Sequence, residues 1–307
     1  MSIIVKKRGD KKYLYFAVGG SKRLYLGTID NPKEENIYGA IGHIRSRIRE
    51  YEQRISELEN YLPVRKEELS CSIQYNLVFF DLDGVLYEKP WYEISSDEVA
   101  VSTWDVIFQE LGIYNVHEKL KHNYETGVFK SYMEWTEAAC EVLKSVGLDK
   151  KTFETVINRR PLMQGAAELC EELGKNGVKI AIATGSFKAL AQRAKNELKG
   201  ITHILAHCEL NFDEKGLLSS WNLETIDYKD KARFVEKTAK KEGIPLKRCV
   251  YIGDDVNDIY AFKKVGLPIA FNCRKPKVLQ AVKVVIESRD LKGILPYLCI
   301  PTEKKST

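Results

Sequence analysis

The chain of 307 residues contains no apolar run of the roughly 18 residues that a transmembrane helix requires. Its N-terminus is basic, but the short apolar stretch of a secretory signal peptide does not follow it. Proline and glycine are sparse, at 9 and 20 residues, which argues against a collagen-like or low-complexity chain. We therefore expect a globular protein without membrane contact that stays in the cytoplasm.

Paired cysteines are absent as well. The seven cysteines are scattered singly without a CxxC pair, which argues against a zinc ribbon or a disulfide framework and suits a reducing compartment. His203 and His207 stand four residues apart, but no acidic residue lies between them as the HExxH zinc motif requires. These histidines are therefore poor metal candidates.

Excess positive charge is confined to the first 30 residues. Residues 1–30 hold seven Lys or Arg against two Asp, an excess equal to the net charge of the whole chain, +5. Three short alternating runs predict a small basic β-segment here, a β-meander. A weak contact of residues 1–30 with nucleic acid is one hypothesis for this segment, because basic patches attract phosphate backbones.

Residues 31–70 show a different pattern, a helix with a heptad seam and a linker. The seam is spaced alternately by four and three residues and comprises Ile37, Ile41, Ile44, Ile48, Tyr51, Ile55, Leu58 and Leu62. It predicts an amphipathic helix that ends at Pro63. Two interpretations stay open, packing against the body or a coiled coil, and the second predicts a homodimer through residues 37–62.

From residue 71 onward, strand-like and helical stretches alternate, which is typical of an α/β fold with a doubly wound parallel sheet. The predicted strands are Leu77 to Phe80, Val178 to Ala183, Val250 to Ile252, Pro268 to Phe271 and Val282 to Ile286. Residues 88–160 are mostly helical by pattern and too long for a βα connection, so they are predicted to be an inserted helical cap. Residues 71–87 and 161–307 then form the core.

Acidic residues follow two of the predicted strands. Asp81 and Asp83 come directly after the first strand and project to the same side of the chain. An Asp-Gly pair between apolar runs is also a common hairpin signal, so this motif alone is ambiguous. Asp254, Asp255 and Asp258 follow Val250 to Ile252, where repulsion among three carboxylates favours a bound cation, and oxygen ligands indicate Mg²⁺.

Two further signals stand between these acidic motifs. The strand at residues 180–183 ends in Thr184 and Gly185 and leads into a helix, an arrangement that offers a hydroxyl and backbone N–H groups to an anion. An ordinary helix N-cap explains this signal equally well. Lys231 opens the next helix, and a single lysine there has little meaning by itself. The order of the four signals carries the information.

In that order, the four segments resemble the haloacid dehalogenase superfamily of phosphohydrolases, and residues 71–298 are most similar to its phosphoserine phosphatase branch. The resemblance implies that Asp81 is the nucleophile and Asp83 the general acid/base. It further implies that Asp81, Asp254 and the main chain of Asp83 bind Mg²⁺. The expected phosphate ligands are Thr184, Gly185, Lys231 and Asn257, and the expected supporting residues are Asp255 and Asp258.

The sequence departs from that branch where the substrate is recognised. Position 90 is Pro where the family places a Glu for the serine amine, and Glu88 and Glu93 lie only nearby. The family uses a cap Arg for the serine carboxylate, but no Arg occurs from position 81 to position 158. Lys121 or Lys130 is the candidate substitute, although a lysine lacks the two-pronged geometry of a guanidinium.

The leading hypothesis is therefore a Mg²⁺-dependent phosphomonoesterase for a small phosphate ester, most similar to phosphoserine phosphatase, that works through an aspartyl-phosphate. A phosphatase for a sugar phosphate or a nucleotide is the alternative that the missing cap Arg favours. The hypothesis from another class is a nucleic-acid-associated protein that uses the basic N-terminal segment.

Overall fold

The computed structural model describes residues 74–89, 91–94, 97–100, 102–224 and 229–298. Before residue 74 it describes the backbone of residues 2–8, 11–19 and 22–28, together with residues 31, 33, 36 and 37. The chain divides into two compact units, Met1–Glu68 and Leu69–Thr307.

The first unit contains a three-stranded antiparallel sheet formed by β1 (Ser2–Arg8), β2 (Lys11–Gly19) and β3 (Lys22–Thr28). The strands coincide with the three alternating runs of the sequence, and β2 is the central strand. Beyond Ile37 the heptad seam lies outside the described residues. The coiled coil, the homodimer and the nucleic-acid contact therefore stay predictions.

The second unit is built on a seven-stranded sheet with the order β12-β11-β10-β4-β7-β8-β9. Its strands are β4 (Leu77–Phe80), β7 (Lys179–Phe187), β8 (Ile201–Phe212), β9 (Leu218–Leu223), β10 (Cys249–Gly253), β11 (Leu267–Phe271) and β12 (Val284–Ile286). All neighbouring strands pair in parallel except β8 and β9. The predicted α/β fold with a doubly wound parallel sheet is confirmed, with an antiparallel hairpin added at one edge.

Helices cover both faces of this sheet. They are α1 (Thr103–Glu110), α2 (Tyr114–Glu125), α3 (Tyr132–Ser145), α4 (Lys150–Arg159), α5 (Ala166–Lys175), α6 (Lys188–Glu197), α7 (Asp230–Lys241), α8 (Ile259–Phe262) and α9 (Pro276–Leu279). Short 3₁₀ helices lie at Leu246–Arg248, Val256–Asp258 and Leu291–Tyr297. Val78 and Phe80 of β4 belong to one buried cluster, while Leu77 and Phe79 belong to a second. Because alternate residues of a strand point to opposite faces, these two clusters are the cores on the two sides of the sheet.

Residues 88–160, which lie between β4 and α5, are the segment predicted as a helical cap. The structure places α1 to α4 there, but a two-stranded antiparallel hairpin precedes them, β5 (Trp91–Ile94) and β6 (Asp97–Ala100). The aromatic and β-branched residues of these two short runs favour strands over a helix. Ser102, Ser131 and Asp149 accept backbone hydrogen bonds at the starts of α1, α3 and α4. These N-caps explain where three of the cap helices begin.

Among the residues that the structure describes, no helix combines the length and the apolar character needed to cross a bilayer.

Candidate active site

The carboxyl ends of three neighbouring strands bring the predicted motifs together. Phe80, at the end of β4, pairs with Ile182 of β7 on one side and with Ile252 of β10 on the other. Asp81 follows β4 directly, and its backbone N–H donates to the carbonyl of Ile252. Asp254 follows β10 in the same way. Ligands of open parallel sheets bind at this edge, so the fold places the two acidic motifs where a site is expected.

Lys231 lies at the centre of the assembled side chains. It belongs to the first turn of α7 and is fully buried. Its Nζ is 3.2 Å from Asp81 Oδ2, 2.7 Å from Asp258 Oδ1 and 3.3 Å from Asn257 Oδ1. A buried ammonium needs such oxygen partners, because burial without them costs several kcal/mol. Lys231, which has little meaning in the sequence by itself, is therefore the cation that contacts both acidic motifs, at Asp81 and at Asp258.

Three buried carboxylates, of Asp81, Asp254 and Asp258, form what we call the acidic cluster. Each offers an oxygen, and these oxygens lie within 4.8 Å of one another. Burial raises the pKa of Asp81 to about 7, although Lys231 opposes the shift. Burial also raises the pKa of Asp254 to about 6, with Lys89 opposing it. Because of this burial, two of the three carboxylates hold their protons more tightly than usual.

A divalent cation fits this cluster by the chemistry of its donors. Carboxylate oxygens are the ligands that Mg²⁺ prefers, and Asp254 Oδ1 is a buried oxygen without a hydrogen-bond partner. Gly84 lies against the same side chain, with a φ of +87°, and a Cβ built there would stand 2.4 Å from Asp254 Oδ2. A residue with a side chain at position 84 would crowd this carboxylate, so glycine keeps the cluster open.

The Asp83 side chain lies outside the acidic cluster. Its Oδ1 accepts hydrogen bonds from Thr103 Oγ1 at 2.6 Å and from Arg160 Nη2 at 3.1 Å. Among the described residues, its Oδ2 accepts a hydrogen bond only from the Thr103 backbone N–H, at 3.3 Å. Of the three acids in the expected Mg²⁺ set, the structure thus clusters the side chains of Asp81 and Asp254, with Asp258 beside them. This arrangement agrees with an Asp83 side chain that is free of metal.

The second motif faces the cap. Thr184 is buried in β7, and its hydroxyl accepts the backbone N–H of Ser186 at 3.1 Å. The carbonyl of Gly185 accepts hydrogen bonds from Tyr132 Oη at 3.0 Å and from Trp104 Nε1 at 3.4 Å. Two aromatic side chains of the cap therefore hold the loop that was expected to bind phosphate.

The supporting acids have distinct partners. Asp258 Oδ2 accepts the backbone N–H groups of Asp254 and Asp255, each at 3.1 Å, and Tyr251 donates to Oδ1 at 2.8 Å. Asp258 therefore shapes the acidic loop as well as pairing with Lys231. Asp255 instead caps the 3₁₀ helix and pairs with Lys275, and its pKa lies below the usual range because Lys89 and Lys275 outweigh its burial.

Three residues of the site were missed in the sequence. Lys89 donates to Asp254 Oδ2, and Thr103 and Arg160 bind Asp83. No motif marks them, because they join the site from the loop before β5, the start of the cap and its end. Of the two cap lysines, Lys121 Nζ donates to Asp105 Oδ1 at 3.0 Å and Lys130 is exposed, and their role at a substrate carboxylate stays a prediction.

Comparison with known proteins agrees with this geometry. Residues 75–266 match the family model of haloacid dehalogenase-like hydrolases. The phosphoserine phosphatase of Methanocaldococcus jannaschii is 31% identical over 222 residues, which cover 72% of this chain and 97% of that protein. The phosphoserine phosphatase of Archaeoglobus fulgidus is 31% identical over 264 residues, covering 85% of this chain and 69% of that protein.

A solved structure described as a phospho-aspartyl intermediate analogue of phosphoserine phosphatase is also similar. It is 30% identical, its TM-score is 0.61, and the match covers 73% of this chain and 99% of that chain. The chain belongs to the haloacid dehalogenase-like hydrolase family. Within that family it is a phosphatase, a phosphoric monoester hydrolase.

Proposed function

We propose that the protein is a Mg²⁺-dependent phosphatase of the phosphoserine phosphatase type, which forms an aspartyl-phosphate on Asp81. The observation that carries the proposal is the contact of one buried lysine, Lys231, with both Asp81 and Asp258 beside Asp254. Phosphoserine phosphatases at about 30% identity over most of the chain support the substrate class.

In this mechanism Asp81 attacks the phosphorus atom and forms the new P–O bond. Lys231, with the hydroxyl of Thr184 and the backbone at Gly185, holds the phosphate oxygens, and Asn257 keeps Lys231 in place. Mg²⁺ bound by Asp81, the main chain of Asp83 and Asp254 would neutralise phosphate charge. Added positive charge also favours the ionised form of Asp81, whose pKa of about 7 otherwise leaves part of the carboxyl protonated at neutral pH.

Asp83 performs the proton transfers. It gives a proton to the oxygen of the departing alcohol and later takes one from the water that hydrolyses the aspartyl-phosphate. Its side chain is buried next to the cluster and is bonded to groups of the cap, which suits a group that meets the leaving alcohol rather than the metal.

A sugar phosphate or a nucleotide is the second candidate substrate. Two observations favour it, because each removes a cation that could bind a serine carboxylate. The chain has no Arg from position 81 to position 158, and Lys121 is already paired with Asp105.

Phosphate release from a panel of esters, with Mg²⁺ and with EDTA, tests both candidates. The panel contains phosphoserine, phosphoethanolamine, sugar phosphates and nucleoside monophosphates. We expect turnover only with Mg²⁺ and a preference for phosphoserine. A preference of a hundredfold for a sugar phosphate or a nucleotide would select the second candidate. Full activity in EDTA would contradict the Mg²⁺ role.

We propose that residues 1–30 and 31–70 are accessory to this activity, with residues 71–87 and 161–307 as the catalytic core and residues 88–160 as the cap. The segment before residue 69 is a compact unit by itself, and the assembled site draws its side chains from the other unit.

A further inference from the structure

The donors on Asp83 come from the start of the first cap helix and from the end of the cap. Thr103 is the first residue of α1, the first cap helix, and Arg160 directly follows α4, the last one. Both donate to the same oxygen, Asp83 Oδ1, at 2.6 and 3.1 Å. In the part of the chain that the structure describes, the other oxygen has one partner, the Thr103 N–H at 3.3 Å. The hydrogen bonds to Oδ1 are therefore more numerous and shorter than the one to Oδ2.

Arg160 is buried and is bonded to chain on either side of the cap, although its Nε has no hydrogen-bond partner among the described residues. It is 2% exposed, and its Nη2 also donates to the Glu88 carbonyl at 2.8 Å. Its own carbonyl accepts a hydrogen bond from Arg193 Nη1 of α6, at 2.8 Å. The Glu88 N–H donates to the Pro161 carbonyl. This hydrogen bond joins the segment that enters the cap to the segment that leaves it. A guanidinium fixed in this way defines the position of any carboxylate bound to it.

We propose that Arg160 is a positioning residue for proton transfer: together with Thr103, it holds Asp83 Oδ1 so that Oδ2 faces the leaving oxygen. This inference rests on the proposed acid/base role of Asp83. Proton transfer requires hydrogen-bond distance and alignment, and an error of about 1 Å in a reacting group lowers rates by about a hundredfold. Arg160 acts through Asp83 and contacts no reacting atom itself.

The test compares Arg160→Met and Arg160→Lys with Arg159→Met, a matched control. Arg159 is the neighbouring residue, but its side chain is 71% exposed, and its Nη1 lies 3.7 Å from Glu110 Oε1. Rates are measured for phosphate esters of alcohols and for activated aryl phosphates. We expect Arg160→Met to lower kcat by about tenfold to a hundredfold for alkyl esters and by less than threefold for activated aryl esters. KM should change by less than threefold, Arg160→Lys should recover part of the loss, and Arg159→Met should match the wild type.

The combination with Asp83→Asn separates positioning from folding. In the Asp83→Asn background, Arg160→Met should cause no further loss, because the group it positions is gone; an additional tenfold loss would assign Arg160 a structural role. If Arg160→Met does not fold, Thr103→Val, which removes the second donor to Oδ1, must reproduce the dependence on the leaving group. A rise in KM for phosphoserine without one for phosphoethanolamine would overturn the proposal and make Arg160 a carboxylate-binding residue.

The same experiment distinguishes failure of the inference from failure of the proposed function. If Asp83→Asn itself lowers alkyl and aryl rates equally, the acid/base role of Asp83 is wrong. If Asp83→Asn spares activated esters but Arg160→Met lowers both classes equally, the role of Asp83 stands and the positioning role of Arg160 is wrong.

Discussion

His207 joins the core sheet to the cap and makes stability depend on pH. It is fully buried in β8, where Nδ1 is hydrogen-bonded to the Glu224 carbonyl and Nε2 to Thr136 Oγ1 of α3 at 2.9 Å. A carbonyl only accepts, so Nδ1 carries the proton, while Nε2 lies beside the Thr136 hydroxyl, which also donates to the Tyr132 carbonyl at 2.8 Å. Burial lowers the pKa of His207 to about 4, although Glu224 and Asp230 act in the opposite direction.

The sign and the magnitude follow from this pKa. An unfolded histidine has a pKa of about 6.5, so between pH 6.5 and pH 4 the unfolded chain binds a proton that the folded protein excludes. The contribution of neutral His207 is fully present above pH 6.5 and is lost as the pH falls. From pH 7 to pH 5 the loss in the free energy of unfolding is about 2 kcal/mol. In a domain of this size it corresponds to about 4–8 °C in Tm.

Thermal unfolding of the wild type and of His207→Gln, followed by circular dichroism at pH 7, 6 and 5, measures this effect. Other groups titrate in both proteins, so the quantity of interest is the difference between their Tm values. Gln can fill both hydrogen bonds but does not titrate. We expect the wild type to lose 4–8 °C more than the variant between pH 7 and pH 5, about the shift derived above. Parallel Tm curves would refute the reasoning, because His207 would then titrate alike in both states.

Three further predictions concern the site and the N-terminal segment. Asp81→Asn should lower turnover by at least about a thousandfold, because an amide does not attack phosphorus; retention of a tenth of the wild-type rate would remove Asp81 as nucleophile. Lys89→Met should raise the affinity for Mg²⁺ in calorimetry by about tenfold, since the lysine no longer competes for Asp254, whereas Lys275→Met should change it little. Deletion of residues 1–68 should leave turnover within about threefold while converting a dimer to a monomer in sedimentation. A truncated protein that stays dimeric would contradict the heptad seam, and full-length protein that binds neither DNA nor RNA at low salt would remove the nucleic-acid hypothesis.

The main sheet and its acidic edge could be predicted because their signals are local. Residues 77–80 are apolar without interruption, as a strand buried on both faces requires, and Asp81 follows at once. The same is true of residues 249–253 and Asp254. Parallel strands in one sheet end at the same edge, so the proximity of these acids follows from the topology without any knowledge of side-chain positions. The contacts of the buried Lys231 with Asp81 and Asp258 agree with that expectation.

The edge hairpin and the partners of Asp83 could not be predicted, because their signals are not local in the sequence. In β8 polar residues such as His203, His207 and Asn211 interrupt the apolar ones, so the strand has no long apolar run, and its pairing with β9 depends on a turn at residues 213–216. Arg160 lies 77 positions from Asp83 in the chain. Its basic side chain resembles any exposed arginine at the end of a helix, and its neighbour Arg159 is one. Only the return of the chain from the cap distinguishes the two.

The charges of the site agree with the proposed need for a divalent cation. The acidic cluster carries three carboxylates, and two lysines contact it, Lys231 and Lys89. With all five groups ionised, one negative charge remains in a buried site, and a phosphate dianion would be repelled. A bound Mg²⁺ would change the excess to one positive charge, which would attract the dianion. The same added charge would oppose the effect of burial, which raises the pKa of Asp81 and of Asp254. In the proposed mechanism, one cation would therefore favour both the ionised form of Asp81 and the binding of phosphate.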